Sequence, residues 1–142
     1  MEATTVQRDS WTFAQWAIVI LAALNLIWAL AGFIAEPSIS FGADAPTQKV
    51  LGVDFNGVHA LSGLLLFGPA FYFALRPRWA FLYAVYVSGA LIVTGIWAAL
   101  STSPAGVFAF PNNDADALLH ISMGVLFGIV ATIQFAQDRS SA

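Results

Sequence analysis

Apolar residues form four long runs along the chain, and charged residues are almost absent from them. The runs cover residues 13–34, 55–75, 79–100 and 115–135, and each is close to the roughly 20 residues that cross a bilayer as a helix. They lack the strict alternation of apolar and polar residues that is typical of barrel strands. The pattern therefore predicts an all-α integral membrane protein with four transmembrane helices in a single membrane domain, residues 1–142.

The positions of the basic residues predict an orientation for these helices. If the spans alternate in direction, one side carries four of the five basic residues: Arg8, Arg76, Arg78 and Arg139. Only Lys49 lies on the other side. Because short loops rich in Arg and Lys face the cytoplasm, we expect both termini to be cytoplasmic. The loops at about 35–54 and 101–114 are then expected outside.

The composition agrees with a surface that faces lipid. Apolar residues make up 59% of the 142 residues and charged residues only 9%, whereas the surface of a small soluble domain is about 25 to 35% charged. We therefore expect the protein in the cell (cytoplasmic) membrane, with the lipid bilayer as its partner. The net charge of −3 gives no basic surface for nucleic acid. The absence of Cys excludes disulfides and thiolate chemistry.

Two parts of the sequence resemble each other. The tripeptide Ile-Trp-Ala at 27–29 recurs at 96–98, and both His59 and His120 are followed by Gly at +4 and Ala at +11. These shared positions predict two tandem two-helix repeats, at about residues 11–75 and 79–136. Because each copy contains two spans, the copies have the same orientation and are related by a pseudo-two-fold axis along the membrane normal.

The two histidines are the main candidates for a functional site. Equivalent places in the repeats put His59 and His120 at equal depth near the outer face, with Gly63 and Gly124 on the same helical stripes. A glycine there lets a helix or a flat ligand approach the backbone. The pair could bind a b-type haem as axial ligands. It could also hold a divalent metal together with Asp116, four residues before His120.

Structural roles are equally open to these polar residues. A histidine near the start of a helix commonly hydrogen-bonds a loop carbonyl or a neighbouring helix and binds no ligand. Asn113, Asp114 and Asp116 are typical capping residues at the start of the fourth helix. Asn56 has the same place before the second helix, and Pro69 predicts a kink within that helix.

The sequence offers no evident catalytic machinery. No charged residue sits at mid-membrane, and Ser62 near His59 has no matching acid within its span. The interpretation favoured by the sequence is a structural or accessory subunit, in a larger membrane complex or a homo-oligomer. A bis-His haem electron carrier is one alternative, and a binder of a small ligand or a metal in an outer vestibule is another.

Three short motifs carry a resemblance to a known family. They are Asn-Gly-Val-His-Ala-Leu-Ser-Gly at 56–63, Arg-Pro-Arg at 76–78, and the segment 113–116 followed by His120 and Gly124. The chain resembles, over nearly its whole length, the small bacterial four-span membrane proteins catalogued as domain of unknown function 4383. The resemblance implies a four-span membrane fold and no established activity, cofactor or partner. Ala117 stands where the first copy has Asn56, so a strictly symmetric site is not expected.

Overall fold

Helices make up most of the regular structure in the computed structural model, which describes residues 10–42, 44–100 and 112–140. The elements follow one another as α1 (Phe13–Ala35), β1 (Gln48–Val50), β2 (Val53–Phe55), α2 (Gly57–Phe67), α3 (Ala70–Phe73), α4 (Pro77–Leu100) and α5 (Asp114–Ser140).

Three of the helices, α1, α4 and α5, are long and apolar enough to cross a membrane. They have 23, 24 and 27 residues, and a rise of 1.5 Å per residue makes each at least about 34 Å long. Many of their large apolar side chains are exposed on the outside of the bundle, as Leu24 and Val93 are. The structure thus confirms an all-α chain with three long apolar helices, and α5 continues to Ser140, beyond the predicted end at 135.

The second predicted run, 55–75, is divided in the structure. Phe55 belongs to β2, and α2 begins at Gly57 and ends at Phe67. Pro69 then precedes the single turn of α3. Proline has no N–H to donate to the helical hydrogen-bond pattern. The sequence predicted a kink at Pro69, and the structure has an interruption of the helix there. A single helix over the whole run is therefore not observed.

A β-hairpin lies between α1 and α2, where the sequence predicted only a loop. Its strands are antiparallel, with Gln48 opposite Phe55 and Val50 opposite Val53. Leu51 and Gly52 form the turn, with φ angles of 52° and 89°. A two-residue turn of type I′ requires a positive φ angle at both central residues. Strands of three residues are too short to show alternation in a sequence.

Helices α4 and α5 form the most extensive contact, and α1 packs along α2. Glycine permits the close approach of α4 and α5. A Cβ atom on Gly124 would lie 2.7 Å from Cγ1 and 2.9 Å from the backbone nitrogen of Ile92. Between α1 and α2, a Cβ atom on Gly63 would lie 3.3 Å from the Cβ atom of Ala29.

Two buried glutamines connect helix ends on one side of the bundle, which we call the glutamine end. Gln15 Nε2 donates to the carbonyl oxygen of Ala74 at 2.6 Å, and Gln134 Oε1 accepts from the backbone N–H of Ala14 at 3.1 Å. The start of α1, the end of α3 and the end of α5 therefore lie together. Among the described residues, this end also carries three basic residues: Arg76, Arg78 and Arg139. The opposite side, with the hairpin and both histidines, is the histidine end.

Candidate metal centre

Helix α2 holds His59 in its first turn. The side-chain oxygen of Asn56 accepts from the backbone N–H of His59 at 3.1 Å, and its amide nitrogen donates to the carbonyl oxygen of Ser40 at 2.9 Å. Asn56 has no exposed surface. This confirms the helix cap predicted at Asn56, and it fixes the start of α2 to the preceding loop.

The imidazole of His59 is oriented by two further contacts. Phe55 stacks on it, with 4.3 Å between ring centroids and 17° between the planes. Its Nδ1 lies 3.2 Å from the carbonyl oxygen of Asp54. Since a carbonyl oxygen only accepts, Nδ1 donates in this hydrogen bond, and in the neutral ring Nε2 then keeps the lone pair.

Helix α5 carries Asp116 one turn before His120. Asn113 caps this helix, because its side-chain oxygen accepts from the backbone N–H of Asp116 at 2.9 Å. The cap predicted at Asn113 is confirmed. The Asp116 carboxylate lies against His120, whose Nδ1 is 2.9 Å from the carbonyl oxygen of Asp116 and 3.0 Å from its Oδ1.

The Asp116 carboxylate lies between the two histidines. Its Oδ1 is 3.5 Å from His59 Nε2 as well as 3.0 Å from His120 Nδ1, and the two imidazole centroids are 5.9 Å apart. Both contacts of Oδ1 are ion-pair contacts without full hydrogen-bond geometry, and the Asp116 side chain is only 5% exposed, so among the described residues Oδ1 is paired through the two imidazoles alone. We call His59, Asp116 and His120 the histidine-aspartate cluster.

The donor set of this cluster suits a divalent metal ion. One ligand atom from each residue lies within 4.8 Å of the other two. Tetrahedral zinc with bonds of about 2.0 to 2.1 Å places its ligand atoms about 3.3 Å apart, and the two distances measured from Oδ1 are on either side of that value. Metal-binding histidines usually donate their second N–H to a carbonyl or carboxylate, as His59 does to Asp54.

His120 would bind a metal in a different way from His59. Its Nδ1 is the atom beside Oδ1 of Asp116, so ligation through Nδ1 would replace the present contact with the Asp116 carbonyl oxygen. Two histidines and one carboxylate would leave a fourth coordination position open, the arrangement found in zinc sites that exchange water or ligands.

A partly open cavity of about 160 Å³ lies beside the cluster, lined by residues of α1, α2, α4 and α5 and by Phe55 of β2. His59 and His120 both line it, together with Trp28 of α1 and Gly63 of α2. The indole nitrogen of Trp28 is buried and has no hydrogen-bond partner among the described residues. The cavity is thus mainly apolar, with both imidazoles and one indole in its lining.

The structure distinguishes between the residues that the sequence singled out. It brings His59, His120 and Asp116 together, and Gly63 lines the adjoining cavity. Gly124 does not line that cavity, because it faces Ile92 in the contact between α4 and α5. The matched glycines therefore have different surroundings.

Two neighbours of the site were missed by the analysis of the sequence. Phe55 precedes His59 by four residues, as Asp116 precedes His120, so the duplication contained a signal for it. In the sequence, Trp28 indicates only the duplication. Its counterpart Trp97 is 45% exposed and is not part of the cavity lining.

The described residues form a helical protein with three helices of membrane-spanning length and a polar cluster between two of its helices. A family model described as "Domain of unknown function (DUF4383)" matches residues 15–133. The chain belongs to this family, as its motifs predicted, and the match includes both histidines. The comparisons with curated proteins and with solved structures each gave no significant match.

Proposed function

We propose that this protein is a multi-pass membrane protein that binds one divalent transition-metal ion at the histidine-aspartate cluster. The observation that carries the proposal is the position of the buried Asp116 Oδ1, which lies 3.0 and 3.5 Å from two imidazole nitrogens without full hydrogen-bond geometry to either. A buried carboxylate is costly unless it is paired or coordinates a metal. Mixed imidazole and carboxylate ligands suit ions such as Zn²⁺ and Fe²⁺.

The bis-His haem alternative has less support from the geometry. Cofactor pockets usually have about 300 to 1,000 Å³, whereas the cavity beside the histidines has about 160 Å³. In addition, Asp116 occupies the space between the nitrogens that would have to approach an iron from opposite sides. Haem binding would therefore require the two rings to separate and the carboxylate to move.

A purely structural role is the second candidate, in line with the accessory subunit expected from the sequence. In that case the cluster joins α2 to α5 as a polar contact and binds no ion. The observation in its favour is the 3.0 Å contact between Asp116 Oδ1 and His120 Nδ1. Assembly into a larger complex or a homo-oligomer stays a prediction in either case.

In this proposal the chain crosses the membrane four times. The second crossing consists of α2 and α3, which together form an apolar segment over Gly57–Phe73. Its support is the hydrogen bond from Gln15 to Ala74, which places the end of α3 beside the start of α1. The segment therefore returns along the length of α1, although it is somewhat shorter than its neighbour.

The proposed orientation has the glutamine end in the cytoplasm. Its support is the position of the basic residues Arg76, Arg78 and Arg139 at that end, since such residues are retained on the cytoplasmic side. The cluster would then receive its metal from the outer side of the cell membrane. Arg8 and residues 101–111 of the second predicted outer loop lie outside the described residues.

The tandem duplication is also part of the proposal. It is supported by the placement of His59 and His120 near the starts of α2 and α5, at the same end of the bundle. The copies differ at the position four residues before each histidine, where Phe55 stacks on His59 and Asp116 contacts His120. Two repeats that began as identical copies would thus have diverged to form one asymmetric site.

The test is a binding titration of purified, chelator-treated protein in detergent with Zn²⁺ and Co²⁺. We expect one ion per chain in the wild type, and loss of binding in Asp116→Asn and His59→Gln. Asp114→Asn is the matched control, because Asp114 is exposed on the same helical turn. Wild-type protein that binds neither ion would refute the proposal, and a Soret band after haem-supplemented expression would favour the haem alternative.

A further inference from the structure

We propose that the cavity beside the histidine-aspartate cluster holds a small monoanion, such as a short carboxylate, which occupies the open coordination position of the metal. This inference rests on the metal site proposed above. It goes beyond the metal site because it names a class of ligand, small monoanions, for the open coordination position. Three features of the described residues support it: the size of the cavity, the charge of the loaded site and an indole N–H that lacks an acceptor.

The cavity has room for a ligand of only a few atoms. Its volume of about 160 Å³ is close to that of an engineered cavity of about 150 Å³ that binds benzene. Because His59 and His120 belong both to its lining and to the cluster, a molecule inside it lies next to two metal ligands. A Cβ atom on Gly63 would come 3.3 Å from that of Ala29, so the wall between α1 and α2 is tight.

The net charge of the metal-bound site favours an anionic ligand. A divalent ion with the Asp116 carboxylate and two neutral imidazoles has a net charge of +1. The residues that line the cavity, among those the structure describes, include no Asp, Glu, Lys or Arg. An unpaired positive charge is unfavourable in such apolar surroundings, and one monoanion makes the site neutral.

Trp28 supplies a donor for that anion. An indole nitrogen only donates hydrogen bonds, and Trp28 Nε1 is buried without an acceptor among the described residues. The Trp28 ring lies 6.2 Å from Phe55, which stacks on His59, and Trp28 lines the same cavity as both imidazoles. A carboxylate has two oxygens, and we expect one of them to bind the metal and the other to accept from Trp28.

The experiment uses full-length protein in detergent, loaded with Co²⁺, whose visible absorption reports on its coordination. Acetate and azide are titrated into the wild type, Trp28→Phe and Trp97→Phe. We expect saturable spectral changes in the wild type, a dissociation constant about tenfold higher in Trp28→Phe, and no change in Trp97→Phe. The tenfold factor corresponds to the loss of one hydrogen bond to a charged group. Co²⁺ affinity without added anion should be equal in all three proteins.

The possible outcomes separate this inference from the proposed function. Failure of the wild type to bind Co²⁺ would refute the metal site and the anion site together. Normal Co²⁺ binding with no response to either anion would overturn the anion site and leave the metal site standing. Equal anion affinity in the wild type and Trp28→Phe would place the anion outside the cavity and also overturn the inference. A spectrum that responds to pH alone would assign the open position to hydroxide.

Discussion

The hydroxyl of Tyr83 in α4 donates a 2.6 Å hydrogen bond to the carbonyl oxygen of Leu66, near the end of α2. Leu66 precedes the interruption at Pro69, where the regular helical hydrogen bonds of this segment end. The ring of Tyr83 is buried and also packs edge-on against Phe127. One side chain thus connects the interrupted segment to the long helix beside it.

Removal of this hydroxyl should destabilise the protein. In Tyr83→Phe, the Leu66 carbonyl loses its side-chain donor, and we expect a loss of about 1 to 2 kcal/mol in the free energy of unfolding. Tyr86→Phe is the control, because Tyr86 is 65% exposed. The measurement is thermal unfolding in detergent. Equal stability of the two variants would show that the bond contributes nothing.

Gly124 should be needed for helix packing and not for the site. A Cβ atom in Gly124→Ala would meet the backbone of Ile92 at 2.9 Å, and we expect overpacking to cost about 1 to 3 kcal/mol. Gly89→Ala, where a Cβ atom meets nothing within 4 Å, should leave stability equal or higher. Co²⁺ binding by folded Gly124→Ala should equal that of the wild type. Loss of binding without loss of stability would assign Gly124 to the site after all.

The metal-free protein offers a direct test of the structural alternative. Asp116→Asn removes a buried charge whose contacts with both imidazoles lack full hydrogen-bond geometry, so we expect the metal-free variant to unfold at the same temperature as the metal-free wild type or higher. If the cluster is only a polar contact between helices, the same substitution should lower the unfolding temperature. Circular dichroism after chelation decides between these results.

Addition of metal should then stabilise only the proteins with an intact cluster. At a free Zn²⁺ concentration of 100 times the dissociation constant, binding to the native state contributes about 2.7 kcal/mol. We expect that gain in the wild type and in the control Asp114→Asn, and none in His120→Gln. A similar gain in His120→Gln would place the ion elsewhere on the protein.

Labelling of single cysteines tests the orientation. The chain contains no cysteine, so Gln48→Cys in the hairpin and Ser140→Cys at the end of α5 each provide one reactive position. Both positions are exposed. A membrane-impermeant maleimide should label only Gln48→Cys in intact cells, and both variants after permeabilisation. The reverse result would place the histidine end in the cytoplasm.

The sequence predicted the parts of this structure that depend on regular helical spacing. The separation of four residues was sufficient to predict the contact of Asp116 with His120. It could not predict the contact of Asp116 with His59, because that depends on how closely α2 approaches α5. The sequence could not predict the stacking of Phe55 on His59 either, since β2 has only three residues and pairs with another short strand.

The hydrogen bond from Asn113 to the carbonyl oxygen of Gly52, 3.0 Å long and exposed, joins the tip of the hairpin to the start of α5. The hairpin is continuous with α2 through Asn56, so this bond links the two elements that carry the histidines. The glutamine end is fixed by buried hydrogen bonds, whereas the histidine end contains the cavity. Because the bond from Asn113 to Gly52 joins the segments that precede the two histidines, we expect a change in the separation of the imidazoles to change the length of this exposed hydrogen bond as well.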